Sequence, residues 1–217
     1  RCSFRIGRGV GKGECGTHHG DAAVLRHHLA GEKRVILASA SSGGPAISLA
    51  LMQPDIAGSN KLAGWINICG VLHGSPVIDR FLPWPRSLVL RTLALFEGWS
   101  LPELLSFSRA RSQQRFARFS APPQTVILNY IGIPFSGQVS DEGKFFYRLL
   151  RREGPNDGLT LVTDALAPGY TIMALGSDHF IREDPDIDLK TAALLPVMLQ
   201  LIEEPPTTRA SDSAARR

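Results

Sequence analysis

The stretch Val35-Ile36-Leu37-Ala38-Ser39-Ala40-Ser41-Ser42-Gly43-Gly44-Pro45-Ala46-Ile47 decides how this chain folds. An apolar run of strand length stops at a set of small residues, and an amphipathic segment begins at once. A turn of this kind lifts a serine hydroxyl above the sheet. The helix behind it offers unpaired N–H groups and the positive end of its dipole, which is what a developing oxyanion requires. Ser41 is therefore the candidate nucleophile.

The serine motif at such a turn reads G-x-S-x-G, and here it is Ser39-Ala40-Ser41-Ser42-Gly43, so a serine stands in place of the first glycine. Small residues are needed two before and two after the nucleophile because the strained turn would drive larger side chains into each other. A second register, Ala40-Ser41-Ser42-Gly43-Gly44, makes Ser42 the nucleophile but pushes the turn one residue deeper into the helix. The competing reading is a serine- and glycine-rich loop that holds an anion or carries no chemistry at all.

Two later stretches bear on that choice: Gly154-Pro155-Asn156-Asp157-Gly158-Leu159 and Leu175-Gly176-Ser177-Asp178-His179-Phe180. Ser41, Asp157 and His179 follow one another in the order Ser, Asp, His. Asp157 lies in a polar turn after the apolar run Thr125 to Ile133, and His179 follows the strand-like run Tyr170 to Leu175. Both are expected in loops beyond the C-terminal ends of strands, as Ser41 is, and such loops share one edge of a parallel sheet. Each residue also has a plainer reading. Asn-Asp-Gly is turn chemistry in its own right, and His179 beside an acid could be an ordinary solvated histidine. Asp164 is the reserve candidate for the acid, Asp178 is expected to point elsewhere, and His73 stands near the site or serves as a hydrogen-bonded structural residue.

With these residues in place, the chain resembles the α/β-hydrolases, in particular the lipase-like and esterase-like members with an Asn-Asp-Gly turn and a late Asp-His pair. The resemblance spans most of residues 30 to 204 and takes in Trp65-Ile66-Asn67-Ile68-Cys69-Gly70-Val71-Leu72-His73-Gly74-Ser75-Pro76 as the strand after the nucleophile helix. It implies Ser41 as nucleophile, His179 as general base and then acid, Asp157 as the group orienting the imidazole, and the Ser42 N–H as one oxyanion donor. It further implies a carboxylic ester as substrate, lipid-like or a small molecule, and no cofactor. A family strand whose following loop would give a second oxyanion N–H has no counterpart ahead of Ser41, so the expectation is a chain that lacks its N-terminal strands.

The surrounding pattern fits that class. Strands are expected at Cys2 to Ile6, Arg34 to Ala38, Ala63 to Val71, Thr125 to Ile133 and Tyr170 to Leu175. Helices are expected at Asp21 to Ala30, Gly43 to Met52, Glu142 to Arg152 and Leu189 to Glu203. This alternation predicts a mostly parallel sheet with helices on both faces. The last helix carries Leu194, Leu195, Val197, Met198, Leu201 and Ile202 as its apolar stripe. Residues 1–206 read as one domain, with a helical cap insertion at about 79–120, and residues 207–217 as a disordered tail. The insertion mixes Trp84, Phe96, Trp99 and Phe107 with Arg80, Arg86, Arg91, Arg109, Arg111, Arg115 and Arg118. The resemblance makes it an apolar wall over the site, and its basic amphipathic character allows peripheral membrane contact.

Other functions fit less well. With 43% hydrophobic and 20% charged residues over 217 positions, the chain is long enough for one substantial core. No run reaches the ~20 apolar residues of a membrane span, and no signal peptide is visible. Gly11-Lys12-Gly13-Glu14-Cys15-Gly16 matches G-x-G-x-x-G, but Val35 to Ala38 run into serines and glycines where a dinucleotide site needs an acid for the ribose. His18-His19 and His27-His28 lack the spacing of a metal motif, so no metal is expected. The net charge of +4 comes without the aromatic-basic motifs of nucleic-acid modules, and no nucleic-acid partner is expected. The 3 cysteines, Cys2, Cys15 and Cys69, form no disulfide framework, which points to a reducing compartment such as the cytoplasm. A non-catalytic binding protein of the same fold remains the alternative.

Overall fold

Among the described residues, five strands lie in one sheet in the order of the sequence, all parallel: β1 (Ser3–Ile6), β2 (Val35–Ala40), β3 (Leu62–Ile68), β4 (Val126–Ile133) and β5 (Tyr170–Leu175). This computed structural model describes residues 3–6, 18–31, 34–97 and 100–205. The glycine-rich stretch Gly11 to Gly16 and the tail 207–217 lie outside the described residues.

A parallel arrangement needs helical crossovers, and these cover both faces. Neighbouring residues of each central strand therefore serve opposite cores. Val35, Trp65 and Ile127 meet α1 (His18–Gly31) and α2 (Gly43–Leu51) through Leu25, Leu29 and Leu51. Ile36, Ile66 and Leu128 meet Met198 and Ile202 of α9 (Ile187–Glu203) on the other face. This double burial explains why the strands read as nearly continuous apolar runs rather than alternating ones. α9 approaches β3 closely at Gly64, where a Cβ would stand 2.8 Å from Ile202 Cδ1. Val197, expected in the stripe of α9, is instead 46% exposed, because the helix turns Leu194, Met198 and Ile202 toward the sheet.

Among the described residues, four helices lie between β3 and β4: α4 (Pro76–Phe81), α5 (Ser87–Glu97), α6 (Leu101–Ser106) and α7 (Arg109–Phe116). Ser75 caps α4 by accepting the Val77 N–H, and Ser100 caps α6 by accepting the Glu103 N–H, each with proline in the first turn. Val71, Ile78, Leu90, Leu104 and Phe107 form a separate core beneath these helices. The short α3 (Pro54–Ala57) follows α2, and α8 (Asp141–Leu150) lies between β4 and β5. Among the described residues no helix is long and apolar enough to cross a membrane.

The third strand is shorter than its sequence predicts. It stops at Ile68 rather than continuing to Val71, because Cys69 takes φ 46° and turns the chain out of the sheet. The Cys69 thiol is buried there, accepting the Gly132 N–H at 3.3 Å, and burial pushes it well above the usual thiol range.

Candidate active site

At the end of β2 the backbone of Ser41 takes φ 52°, a left-handed conformation that costs a non-glycine residue about 1–2 kcal/mol. Three backbone hydrogen bonds hold it there. The Ser41 N–H donates to Ile68 O at 3.0 Å, and the Ser41 carbonyl accepts from Gly44 N at 3.1 Å and Val71 N at 3.2 Å. Ser42 is the N-cap of α2, so its N–H stands among the first-turn donors that have no partner within the helix.

The residue requirements of this turn are visible in its packing. A Cβ on Gly43 would lie 3.4 Å from the Ser39 Cβ, in van der Waals contact, so the positions two before and two after Ser41 face each other across the turn. Ser39 replaces the expected glycine and finds a partner: its buried hydroxyl accepts the indole N–H of Trp65 at 2.8 Å. Trp65 is fully buried in β3, and the bond satisfies its one polar atom. Ser39→Gly would restore the common motif but orphan that N–H, and we expect a loss of about 1–3 kcal/mol in a denaturant titration.

Ser41 Oγ lies 2.8 Å from His179 Nε2, and His179 Nδ1 lies 2.8 Å from Asp157 Oδ2. It is Ser41, not Ser42, that meets the imidazole. With the ring proton on Nδ1, the imidazole donates to Asp157 and its Nε2 accepts from the Ser41 hydroxyl. His179 follows β5, and its backbone N–H donates to Asp157 O at 2.6 Å, so the two residues are joined twice. Their side chains are only 5% and 2% exposed.

Asp157 serves the turn and the histidine together, one oxygen for each. Oδ1 accepts from Leu159 N at 2.9 Å and Thr160 N at 2.7 Å, closing the turn. Oδ2 faces His179 and also accepts from Thr160 Oγ1 at 3.2 Å. Burial pushes this carboxyl up, but the charge and hydrogen bond of His179 together with the two backbone N–H groups outweigh it. The net effect holds Asp157 below the usual carboxylate range. The Asp157 turn comes after α8, the helix expected at Glu142 to Arg152, and the chain folds back from the end of that helix to the sheet edge.

The remaining candidates are engaged elsewhere. Asp164 binds Arg109 through Nε at 3.1 Å and Nη2 at 3.0 Å, so it is not the partner of the imidazole. Asp178 accepts from Ser140 N, Ser140 Oγ and Phe180 N, which ties it to the start of α8. His73 is a hydrogen-bonded structural residue, with its N–H on Asp164 O at 2.8 Å, its Nε2 3.2 Å from Leu166 O, and its ring against Phe116.

Sequence reasoning missed the side chains that hold the loops of the site. Asn67 in β3 donates to Asn129 Oδ1 of β4 and to Ala165 O, while Asn129 binds both the N–H and the carbonyl of Ala167. These fully buried amides pin the segment that leads from the Asp157 turn to β5. The signal was present as an asparagine within each of the two apolar runs, Asn67 in β3 and Asn129 in β4.

Compared by sequence, the chain matches no protein-family model and no curated protein. By structure it is similar to a metagenomic carboxyl esterase, with TM-score 0.67 and 21% identity over 86% of this chain and 62% of that one. It is similar also to a Bacillus licheniformis lipase in its mature form, with TM-score 0.65 and 21% identity over 83% of this chain and 72% of the other. The propeptide form of that lipase gives TM-score 0.67 at 20% identity over 85% of this chain and 39% of its own. The chain thus spans about three fifths of the length of the carboxyl esterase, 62%. A parallel sheet with helices on both faces and this extent of superposition on an esterase and a lipase give the chain the α/β-hydrolase fold.

Proposed function

We propose that the protein is a serine hydrolase that cleaves carboxylic esters through an acyl-enzyme on Ser41. The observation that carries this reading is the continuous chain of contacts from Ser41 Oγ to His179 Nε2 and from His179 Nδ1 to Asp157 Oδ2, both 2.8 Å. The esterase and lipase among the similar structures support the same chemistry.

His179 Nε2 takes the Ser41 proton as Oγ attacks the ester carbonyl, and the carbonyl oxygen becomes an oxyanion facing the Ser42 N–H. The C–O bond to the leaving alkoxide then breaks, and His179 returns its proton to that oxygen to release the alcohol. Water repeats the sequence: His179 removes its proton, hydroxide adds to the acyl carbon, and Ser41 leaves with the proton restored. Asp157 holds the Nδ1–H tautomer and stabilises the imidazolium throughout. No cofactor enters these steps.

The substrate we propose has an apolar acyl group lying against the helices between β3 and β4. Leu82, Trp84, Leu88 and Val89 are exposed there, with Trp84 75% exposed, beside the exposed Arg86 and Arg91. Such a surface suits an ester presented at a lipid boundary. The test is turnover of p-nitrophenyl esters of increasing acyl length beside a thioester and an amide of the same acyl group. Ester turnover that rises with acyl length supports the proposal. A folded protein that hydrolyses none of them is a binding protein of the same fold.

A further inference from the structure

Asp157 sits on a short hairpin whose strands are closed by its own backbone. Asp157 N donates to Thr160 O at 3.1 Å, Val162 N donates to Pro155 O at 3.0 Å, and Asn156 bridges Leu161 in antiparallel fashion. Just outside this hairpin, one on each side, stand Glu153 and Asp164. A single guanidinium holds both. Arg109, the first residue of α7, places Nη1 3.3 Å from Glu153 Oε2 and binds Asp164 through Nε and Nη2. Its own backbone is fixed in turn, by the Arg109 N–H on Asp79 Oδ1 at 3.2 Å and by Gly74, whose φ of 95° lets the two backbones approach so closely that a Cβ would stand 2.7 Å from Arg109 Cα. Arg80 of α4 adds a second arm to Glu153 at 2.7 Å, and Ser75 Oγ donates to Leu159 O at 2.5 Å within the hairpin.

Resting on the hydrolase reading above, we infer that Arg109 is a positioning residue: it clamps both ends of the hairpin that carries Asp157 and so holds that carboxylate on His179. The planar fork of the guanidinium suits this, with Nε and Nη2 on Asp164 Oδ2 and Nη1 toward Glu153 Oε2, because two carboxylates on different segments must be held at fixed angles and a lysine would offer one point charge. The clamp also ties the inserted helices to the acid of the site, since Arg80 and Arg109 both come from the insertion and bind the hairpin from outside. Displacing a catalytic group by about 1 Å lowers turnover on the order of 100-fold, and that is the scale expected here.

The test is a double-mutant cycle on the full chain, with kcat and KM for a short p-nitrophenyl ester measured in wild type, Arg109→Gln, Asp157→Asn and the double variant. If Arg109 acts through Asp157, Arg109→Gln lowers kcat by about 10- to 100-fold with little change in KM, Arg109→Lys recovers only part of it, and the loss disappears in the Asp157→Asn background. The low-field proton resonance of His179 Nδ1–H, present in wild type, broadens or vanishes in Arg109→Gln, a reading independent of turnover. Arg26→Gln, which breaks an exposed ion pair with Asp55 between α1 and α3, is the control and leaves kcat unchanged. A loss of equal size in both Asp157 backgrounds, or an unaltered Nδ1 resonance, overturns the inference while leaving the hydrolase reading intact. A folded wild type that turns over no p-nitrophenyl ester of any acyl length sinks the hydrolase reading instead. Should Arg109→Gln not fold, Glu153→Gln removes one arm of the clamp and carries the same cycle.

Discussion

Ser41→Ala is expected to lower ester turnover by about 10⁴-fold or more, with the protein still folded. Ser41 is the hydroxyl that meets His179 Nε2, so what survives without it is the modest acceleration that oriented donors and binding give to attack by water. The fold has little reason to suffer. The hydroxyl contacts His179, but the left-handed turn is held by the backbone bonds to Ile68, Gly44 and Val71, all of which alanine keeps. Turnover and a thermal melt of the same preparation separate loss of chemistry from loss of structure. A residual rate within tenfold of wild type would remove Ser41 from the role given to it.

Asp157→Asn carries the second large effect, on the order of 10⁴-fold in kcat. The amide keeps an oxygen for the Leu159 and Thr160 N–H groups, so its NH2 is the group turned toward the imidazole. A donor there favours the tautomer with its proton on Nε2, and that nitrogen can no longer accept the proton of Ser41. The same substitution has a signature in stability. Because the carboxyl of Asp157 lies below its unfolded value in the native protein, its contribution is fully present above about pH 4 and is lost as pH falls through the depressed native value. The stability difference between wild type and Asp157→Asn should therefore narrow below about pH 4. A difference that widens in acid would mean that the carboxylate is not held by the contacts described.

The sequence made part of this site legible because its causes are local. A strand, a turn of small residues and a helix N-terminus are adjacent in the chain, so the place of Ser41 could be read, and Ser39 could be accepted as a small residue before its bond to Trp65 was known. His179 was found by its order after a short strand. The acid was harder, since Asp157 and Asp164 lie in the same loop and only the folded chain shows that Arg109 occupies one of them. What stayed hidden altogether was pairing between distant segments. Arg109 with Glu153, Ser75 with Leu159, and Asn67 with Asn129 each join residues whose partners no local period could indicate.

Activation of Ser41 by His179 is read by covalent labelling without any knowledge of the substrate. The folded chain is treated with a fluorophosphonate probe, and the modified residue is located by mass spectrometry, with Ser41→Ala in parallel. The expected result is one phosphonyl group on the Ser41 oxygen, with fluoride released, and no labelling of Ser41→Ala. A folded wild type that stays unlabelled, or labelling that persists in Ser41→Ala, would contradict it.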